Sequence, residues 1–326
     1  MTTTAHTADI DAAVRALREP SSLEIRPRYE GSNICTWIGF KHVNYLVEEA
    51  VLNHLRQAGV APGEIYEVYG LCTDIVDIDT RILHAFHIDD VAVAEVGPHR
   101  RAEDDELLFA VTLRVRRDTL LKAVTSTVRV QLRFDPRGGG EQQLPAALAP
   151  FAVDRLAATP GWTPEPVEAD LTADDVVKEL TAGRNAYAWK FRIPYWYCHF
   201  TERQQMSGYL RLMEEAKDRL VADRGVSIKT LLDEQNWIPV VPHSRITVLD
   251  EARMEEDMYV VLTVESVFKG VTYDSRMDTY VVRDGKLVQT ATGRITHGYA
   301  VIENRRDWSL VAFDDRMNAA LEGRTA

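Results

Sequence analysis

Two stretches of the sequence carry the same pair of carboxylates in the same company: Leu46-Val47-Glu48-Glu49-Ala50 and Leu212-Met213-Glu214-Glu215-Ala216. A glutamate beside a reacting carbonyl can hold water as general base or attack directly, and Glu48 and Glu214 are the candidates. His199, in the aromatic run Tyr195-Trp196-Tyr197-Cys198-His199-Phe200, is another possible base, because an imidazole with an unperturbed pKa of ~6.5 changes charge near neutrality. Each has a plainer role: a solvated glutamate face, or a structural histidine. Tyr209 is a candidate proton donor at a position where core packing competes. Cys35 and Cys198 lack an evident partner base. His84-x-x-His87 with Asp89-Asp90 offers metal donors, but in an alternating segment two histidines at i, i+3 face opposite ways, so no metal is expected. No nucleophile elbow, phosphate loop or dinucleotide fingerprint occurs, and no cofactor is expected.

The elements that would position these groups are written twice. Arg26 to Val60 aligns without a gap on Arg192 to Val226, an offset of 192 − 26 = 166 residues. Eight of the 35 columns are identical, against roughly two expected from composition. A further match, Arg81-Ile82 on Arg245-Ile246, needs a two-residue gap. Val43, Leu46, Val47, Ala50, Val51, His54 and Leu55 fall on one helical face, and Tyr209, Leu212, Met213, Ala216 and Leu220 repeat it. Gly59 and Gly225 suit left-handed helix ends. Short strand-like pieces precede each helix (Leu23 to Tyr29, Lys190 to Tyr197), and alternating runs follow: 107–117 and 123–134, then 258–268, 271–282 and 287–302. Arg283-Asp284-Gly285-Lys286 reads as a two-residue hairpin. In the first half Arg137-Gly138-Gly139-Gly140 takes that turn's place, and Pro145 and Pro150 break the strand expected after it, so this half reads as a degraded copy. The expected layout is an N-terminal segment (1–20) with a short helix over Ile10 to Leu17, a first repeat (21–140), a connector across the surface (141–185), a second repeat (186–312) and a tail (313–326). The connector holds a helix starting near Thr172.

Strand, central helix and antiparallel meander, written twice, resemble an α+β double hotdog. The nearest resemblance is to acyl-thioester hydrolases of the 4-hydroxybenzoyl-CoA thioesterase type, over about residues 20–135 and 186–310. Gly208-Tyr209-Leu210-Arg211-Leu212-Met213-Glu214-Glu215-Ala216 follows the family's helix pattern, and Leu46 to Ala50 follows it more loosely. The column of the family's catalytic aspartate falls on Asn33 and His199, so neither half keeps the acid. Glu202-Arg203-Gln204-Gln205 replaces the Gly-His-Val-Asn columns, and His42-Val43-Asn44 is displaced by about five positions. Asn33 then implies a carbonyl-orienting amide, or simply a turn residue after Gly31-Ser32. The helix N-termini at Gly39-Phe40 and Ser207-Gly208 are the expected substrate-binding backbone, since unpaired N–H groups and the helix dipole favour an oxyanion.

The expected function is therefore hydrolysis of an acyl-CoA or acyl-carrier-protein thioester, in polyketide or fatty-acid-like metabolism, with one of two pseudo-equivalent sites at work. Rivals are a dehydratase or hydratase of a β-hydroxyacyl thioester using His199 with Glu48 or Glu49, a hotdog acyltransferase or decarboxylase, and a non-catalytic acyl-binding protein. The chain has 326 residues, 45% apolar and 27% charged, which excludes wholesale disorder. Thirty-eight basic against 50 acidic residues, net −12, argue against nucleic acid and against a simple electrostatic grip on CoA phosphates or an acidic carrier. No apolar run reaches ~18 residues, no secretory signal pattern opens the sequence, and three cysteines cannot all pair, so a cytoplasmic protein with no membrane partner is expected. A homodimer of double hotdogs is a further partner to consider.

Overall fold

In the chain's fold, a computed structural model describing residues 3–139, 142–156, 167–168, 173–198, 200–301 and 309–323, the repeat persists far beyond the identities that reveal it. The first half runs β1 (Ser21–Ile25), α2 (Phe40–Ala58), α3 (Pro62–Tyr69), β2 (Leu71–Ile82), β3 (Ala92–Pro98), β4 (Leu107–Arg116) and β5 (Leu120–Phe134), after α1 (Thr3–Ala16). Between the halves lie the two-residue strands β6 (Ala152–Val153) and β7 (Val167–Glu168), and α4 (Ala173–Thr181). The second half runs β8 (Ala186–Arg192), α5 (Met206–Asp223), α6 (Ile228–Gln235), β9 (Trp237–Val248), β10 (Asp257–Phe268), β11 (Thr272–Arg283) and β12 (Lys286–Val301), followed by α7 (Asp315–Leu321).

One antiparallel sheet takes both halves in the order β1-β3-β4-β5-β2-β9-β12-β11-β10-β8, with β6 parallel to β5 and β7 against β12. The two inner strands pair Asp77 with Thr247, Ile78 with Ile246, Asp79 with Arg245, Thr80 with Ser244 and Arg81 with His243. At an offset of 166 each of these pairs maps onto another, and Asp79–Arg245 maps onto itself. A pseudo-two-fold axis therefore passes through that pair. Ile25↔Ala92 is matched by Phe191↔Met258, and Ala92↔Val115 by Met258↔Val281, still at 166. The last strands follow at 167, since Leu107↔Val130 answers Tyr273↔His297. The two-residue gap is thus absent, and Arg245 is the counterpart of Asp79; the Arg-Ile matches are coincidental.

The first half is also not degraded. Its meander is complete in β2 to β5, with the β4–β5 turn at Arg117-Asp118-Thr119 rather than in the glycine run. The sequence patterning misses β2, β3 and β9. Asp77 and Asp79 interrupt the apolar alternation of β2, and Pro239 and Pro242 argue against a strand over β9. Those prolines are tolerated because β9 pairs with β2 only from His243 to Thr247, so neither need donate to β2.

Local chemistry explains the elements that both halves share. α2 and α5 bury the apolar stripes read from sequence, and Gly59 (φ 90°) and Gly225 (φ 76°) turn the chain left-handed after them. Val60 then donates to the Leu55 carbonyl, and Val226 to Val221, at 2.9 Å each. Asp284 (φ 50°) and Gly285 (φ 71°) make the expected hairpin. α1 is longer than expected: it starts at Thr3, and Ile10, Ala13 and Leu17 pack into the core, where His54 of α2 meets the Leu17 carbonyl at 3.1 Å. The connector does not simply cross the surface. Leu148, Phe151 and Leu156 join the main core, while α4 lays Val176 and Leu180 on the sheet beside Tyr259 and Val261.

Gly293 of β12 lies under α5; an added Cβ would sit 2.5 Å from Met213 Cε and 2.8 Å from the Arg245 carbonyl oxygen. Gly293→Ala is expected to destabilise the protein by about 1–3 kcal/mol, measured as a lowered urea midpoint.

Candidate active site

Each central helix begins under a hairpin-like loop, and the two loops share one set of backbone bonds. Gly39 N–H donates to the Gly31 carbonyl at 3.0 Å, and Gln205 to Tyr197 at 3.0 Å. Ile38 donates to Phe86 at 2.8 Å, and Gln204 to Ala252 at 2.8 Å. Ile88 donates to Thr36, and Met254 to Glu202, at 2.9 and 2.7 Å. Neither helix start has a side-chain cap, so the first N–H groups of each are left for a ligand or water.

The pseudo-axis sets each helix start against the middle of the other helix. Lys41 Nζ lies 2.6 Å from Glu214 Oε2, and the Tyr45 hydroxyl donates to the Ser207 carbonyl at 3.3 Å. Two clefts follow. The first, a cavity of ≈100 Å³, is lined by Asn33, Gly39 and Phe40 of the first half with Glu214, Lys217 and His297 of the second. Trp37, Ile82 and Val240 are among its walls. The second, of ≈290 Å³, joins Gln204, Gln205 and Met206 to Glu48 and Leu52 of α2, Thr73, Asp74 and Ile75 of β2, and Val248.

The two clefts differ in chemistry. In the first, Glu214 is held by Lys41, and Asn33 leans over Gly39, where a Cβ would lie 2.9 Å from Asn33 Oδ1. The glycine there makes room for the chain's own amide. In the second, burial and then neighbouring Glu49 push the Glu48 carboxyl up to about 7, and its buried Oε2 has no hydrogen-bond partner among the described residues. Gln204, buried with its backbone pinned to Ala252, has neither amide atom partnered among the described residues, and neither has the buried Thr73 Oγ1. Beside them Arg203, the counterpart of Trp37, is buried against Asp74 at 2.8 Å. Unsatisfied buried groups are costly, so such a convergence marks a place for a polar ligand.

Among the residues singled out from sequence, the structure brings Asn33, Gly39, Phe40 and Glu214 into the first cleft and Glu48 into the second. Ser207 and Gly208 lie in the first turn of α5 but line neither cleft; a Cβ on Gly208 would meet Gln204 Cγ at 3.1 Å. Tyr209 is fully buried under the sheet, which drives its phenol well above the ordinary range. Burial pushes the Cys72 and Cys198 thiols up to about 11, so both stay protonated at neutral pH. His199 lies outside the described residues. Beyond β2, the His84 to Asp90 segment is a loop rather than a strand, with His84 in the first cleft and His87 bonded to Thr36 at 3.0 Å. Sequence reading missed Gln204, Lys217 and His297. The repeat could have flagged Lys217, because its counterpart on the matching apolar stripe is Val51.

Neither a protein-family model nor a curated protein matches the sequence. Solved structures do match. An oleoyl thioesterase, so described, from Lactobacillus plantarum aligns at TM-score 0.55 and 10% identity, over 90% of this chain and 99% of that one. The 12:0-ACP thioesterase of Umbellularia californica aligns at 0.56 and 11%, over 86% and 94%. An acyl-ACP thioesterase of Bacteroides thetaiotaomicron aligns at 0.51 and 5%, over 85% and 97%. These likenesses run through both halves, and the chain has the double hotdog fold. No helix among the described residues is long and apolar enough to cross a membrane.

Glu48 also sets a pH dependence. From its ordinary 4.5 up to about 7 the unfolded chain releases this proton while the folded chain keeps it, so stability falls as pH rises through that window. Glu48→Gln removes the penalty. Its stability gain over the parent is expected to grow from near zero at pH 4.5 to roughly 3 kcal/mol at pH 8, read from paired urea titrations.

Proposed function

We propose that the protein hydrolyses acyl thioesters and that the second cleft is the working site. The observation that carries this reading is Glu48: a carboxyl with its pKa near 7 whose buried Oε2 has no partner among the described residues, opposite the start of α5 and the Gln204 amide, which also has none there. A base poised near the working pH suits general catalysis. The thioester carbonyl oxygen would accept hydrogen bonds from the free N–H group of Met206 at the start of α5 and from Gln204 Nε2. Ionised Glu48 takes a proton from water, whose oxygen bonds to the carbonyl carbon. The tetrahedral adduct then breaks its C–S bond, and the proton on Glu48 passes to the leaving thiolate, giving free acid and thiol. Leu52, Ile75, Met206 and Val248 supply an apolar wall for the acyl chain. The full-length likeness to proteins named as acyl-ACP thioesterases supports the same reading. In the first cleft the equivalent carboxylate, Glu214, is occupied by Lys41, which favours a single working site.

The test is thiol release from a panel of acyl-CoA and acyl-carrier-protein substrates, run in parallel to identify the carrier. The kcat/KM of the parent should rise with pH through about 7 and level off. Glu48→Gln should lower it by about 10²–10⁴-fold and flatten the profile, while Glu214→Gln stays within about threefold. Retained, unhydrolysed acyl-CoA would favour acyl binding, and loss of one water from a β-hydroxyacyl substrate would favour dehydration.

A further inference from the structure

The first cleft keeps polar groups that thioester hydrolysis in the second does not use. Lys217 of α5 is 4% exposed, on the buried side of the helix. Its ammonium has three donors, and its ion-pair partner is Asp218 Oδ1 at 3.1 Å. His297 of β12 is 1% exposed, and burial together with the charge of Lys217 holds it well below the ordinary histidine range. It is therefore neutral, and its Nδ1 has no partner among the described residues. A bulge puts it there: Val241 and Pro242 of β9 face His297 alone, between the pairs Thr296↔His243 and Gly298↔Val240. Trp37 is 3% exposed, and its Nε1–H is unpartnered as well.

These groups are peculiar to one cleft. By the repeat, the counterparts of Lys217 and His297 are Val51 and Val130, both buried, and the counterpart of Trp37 is Arg203. The hotdog core needs none of the three, since the other half builds the same layers without them. Trp37 and Lys217 can only donate hydrogen bonds, so the missing partner is an acceptor. Of the negative groups nearby, Asp218 takes one donor of Lys217, leaving the others, and Glu214 is already paired with Lys41. Ile38, Phe40, Ile82, Val240, Val241 and Leu310 make the walls apolar.

We propose that the first cleft is a distinct binding site for an amphipathic carboxylate, a carboxylic acid on an apolar chain, with the carboxylate received by Lys217, Trp37 and His297. The chain lies along the apolar wall and the acid group at the buried lysine. Such a ligand is of the chemical class that thioester hydrolysis releases, but the site does not depend on that reaction.

Calorimetric titration of the full chain with dodecanoate and with methyl dodecanoate tests this. Dodecanoate is expected to bind at one site and the ester at least tenfold more weakly. Lys217→Met should weaken dodecanoate at least tenfold, leave the ester unchanged and preserve turnover; Val51 shows that the equivalent helix position accepts an apolar side chain. Trp37→Phe, which keeps an aromatic ring and deletes one donor, should weaken dodecanoate about three- to tenfold. Glu48→Gln should bind dodecanoate as the parent does, which separates this site from the hydrolytic one. Equal binding of acid and ester, or parental binding in both Lys217→Met and Trp37→Phe, overturns the proposal. So does loss of binding in Glu48→Gln alone, which would put the acid in the second cleft.

Discussion

The seam between β2 and β9 is the constraint on which the rest of the molecule depends. Its antiparallel register, centred on Asp79 and Arg245, sets one half against the other about a pseudo-two-fold axis. From that register follows which helix start meets which helix middle, and hence that each cleft draws on both halves. The seam also shows why the halves are no longer interchangeable. Asp77 is held by Arg245 at 2.9 Å, and Asp79 by His243 at 2.8 Å, a bond that pulls the Asp79 carboxyl below its usual range. β2 brings the acids and β9 the bases. Two copies of β2 would set Asp79 against Asp79 at the axis, where Arg245 now stands, so divergence of the repeats has removed a like-charge pair from the seam.

The buried polar groups near the axis extend this asymmetry into the core. Asn44 of α2 donates to the Phe40 carbonyl at 2.9 Å and to Ser244 of β9 at 3.3 Å, and it accepts from Thr80 of β2 at 2.7 Å. Thr80 also meets Ser126 of β5 at 2.8 Å. Each member is satisfied, so the network ties helix to sheet across both halves without a desolvation penalty. Its counterpart on α5 is Leu210, which is simply buried. Polar and apolar solutions thus serve the same architectural position. The clefts show the same trade in reverse, with Lys217 and His297 standing where the other half has valines.

This division of labour gives one scaffold two chemically different pockets. Desolvation pushes the Glu48 carboxyl up to about 7, while its twin Glu214 is salt-bridged to Lys41. The two clefts therefore separate by the partners of two glutamates that sit in near-identical pentapeptides. Against the net charge of −12, the loops beside the seam are not acidic: there Arg133, Arg155, Arg253 and Arg283 are paired with Asp250, Glu251 and Glu256.

The sequence makes the repeat, both central helices, their left-handed ends and the last hairpin legible, because these rest on local periodicity and on residues with special backbone freedom. It also singled out Glu48, Glu214, Asn33 and the Gly39-Phe40 start, since each lies within a few residues of a recognisable helix. Tertiary structure decided the remainder. β2 and β9 carry aspartates and prolines that defeat alternation, and they are strands because their neighbours in the sheet satisfy them. Tyr209 and Glu48 are both candidates by residue type, yet one is sealed under the sheet and the other opens on a cleft. Gln204, Lys217 and His297 have no local signature at all: a side chain becomes a site residue through what fails to pair with it after folding, and pairing across more than a hundred residues is not written in any short stretch of sequence.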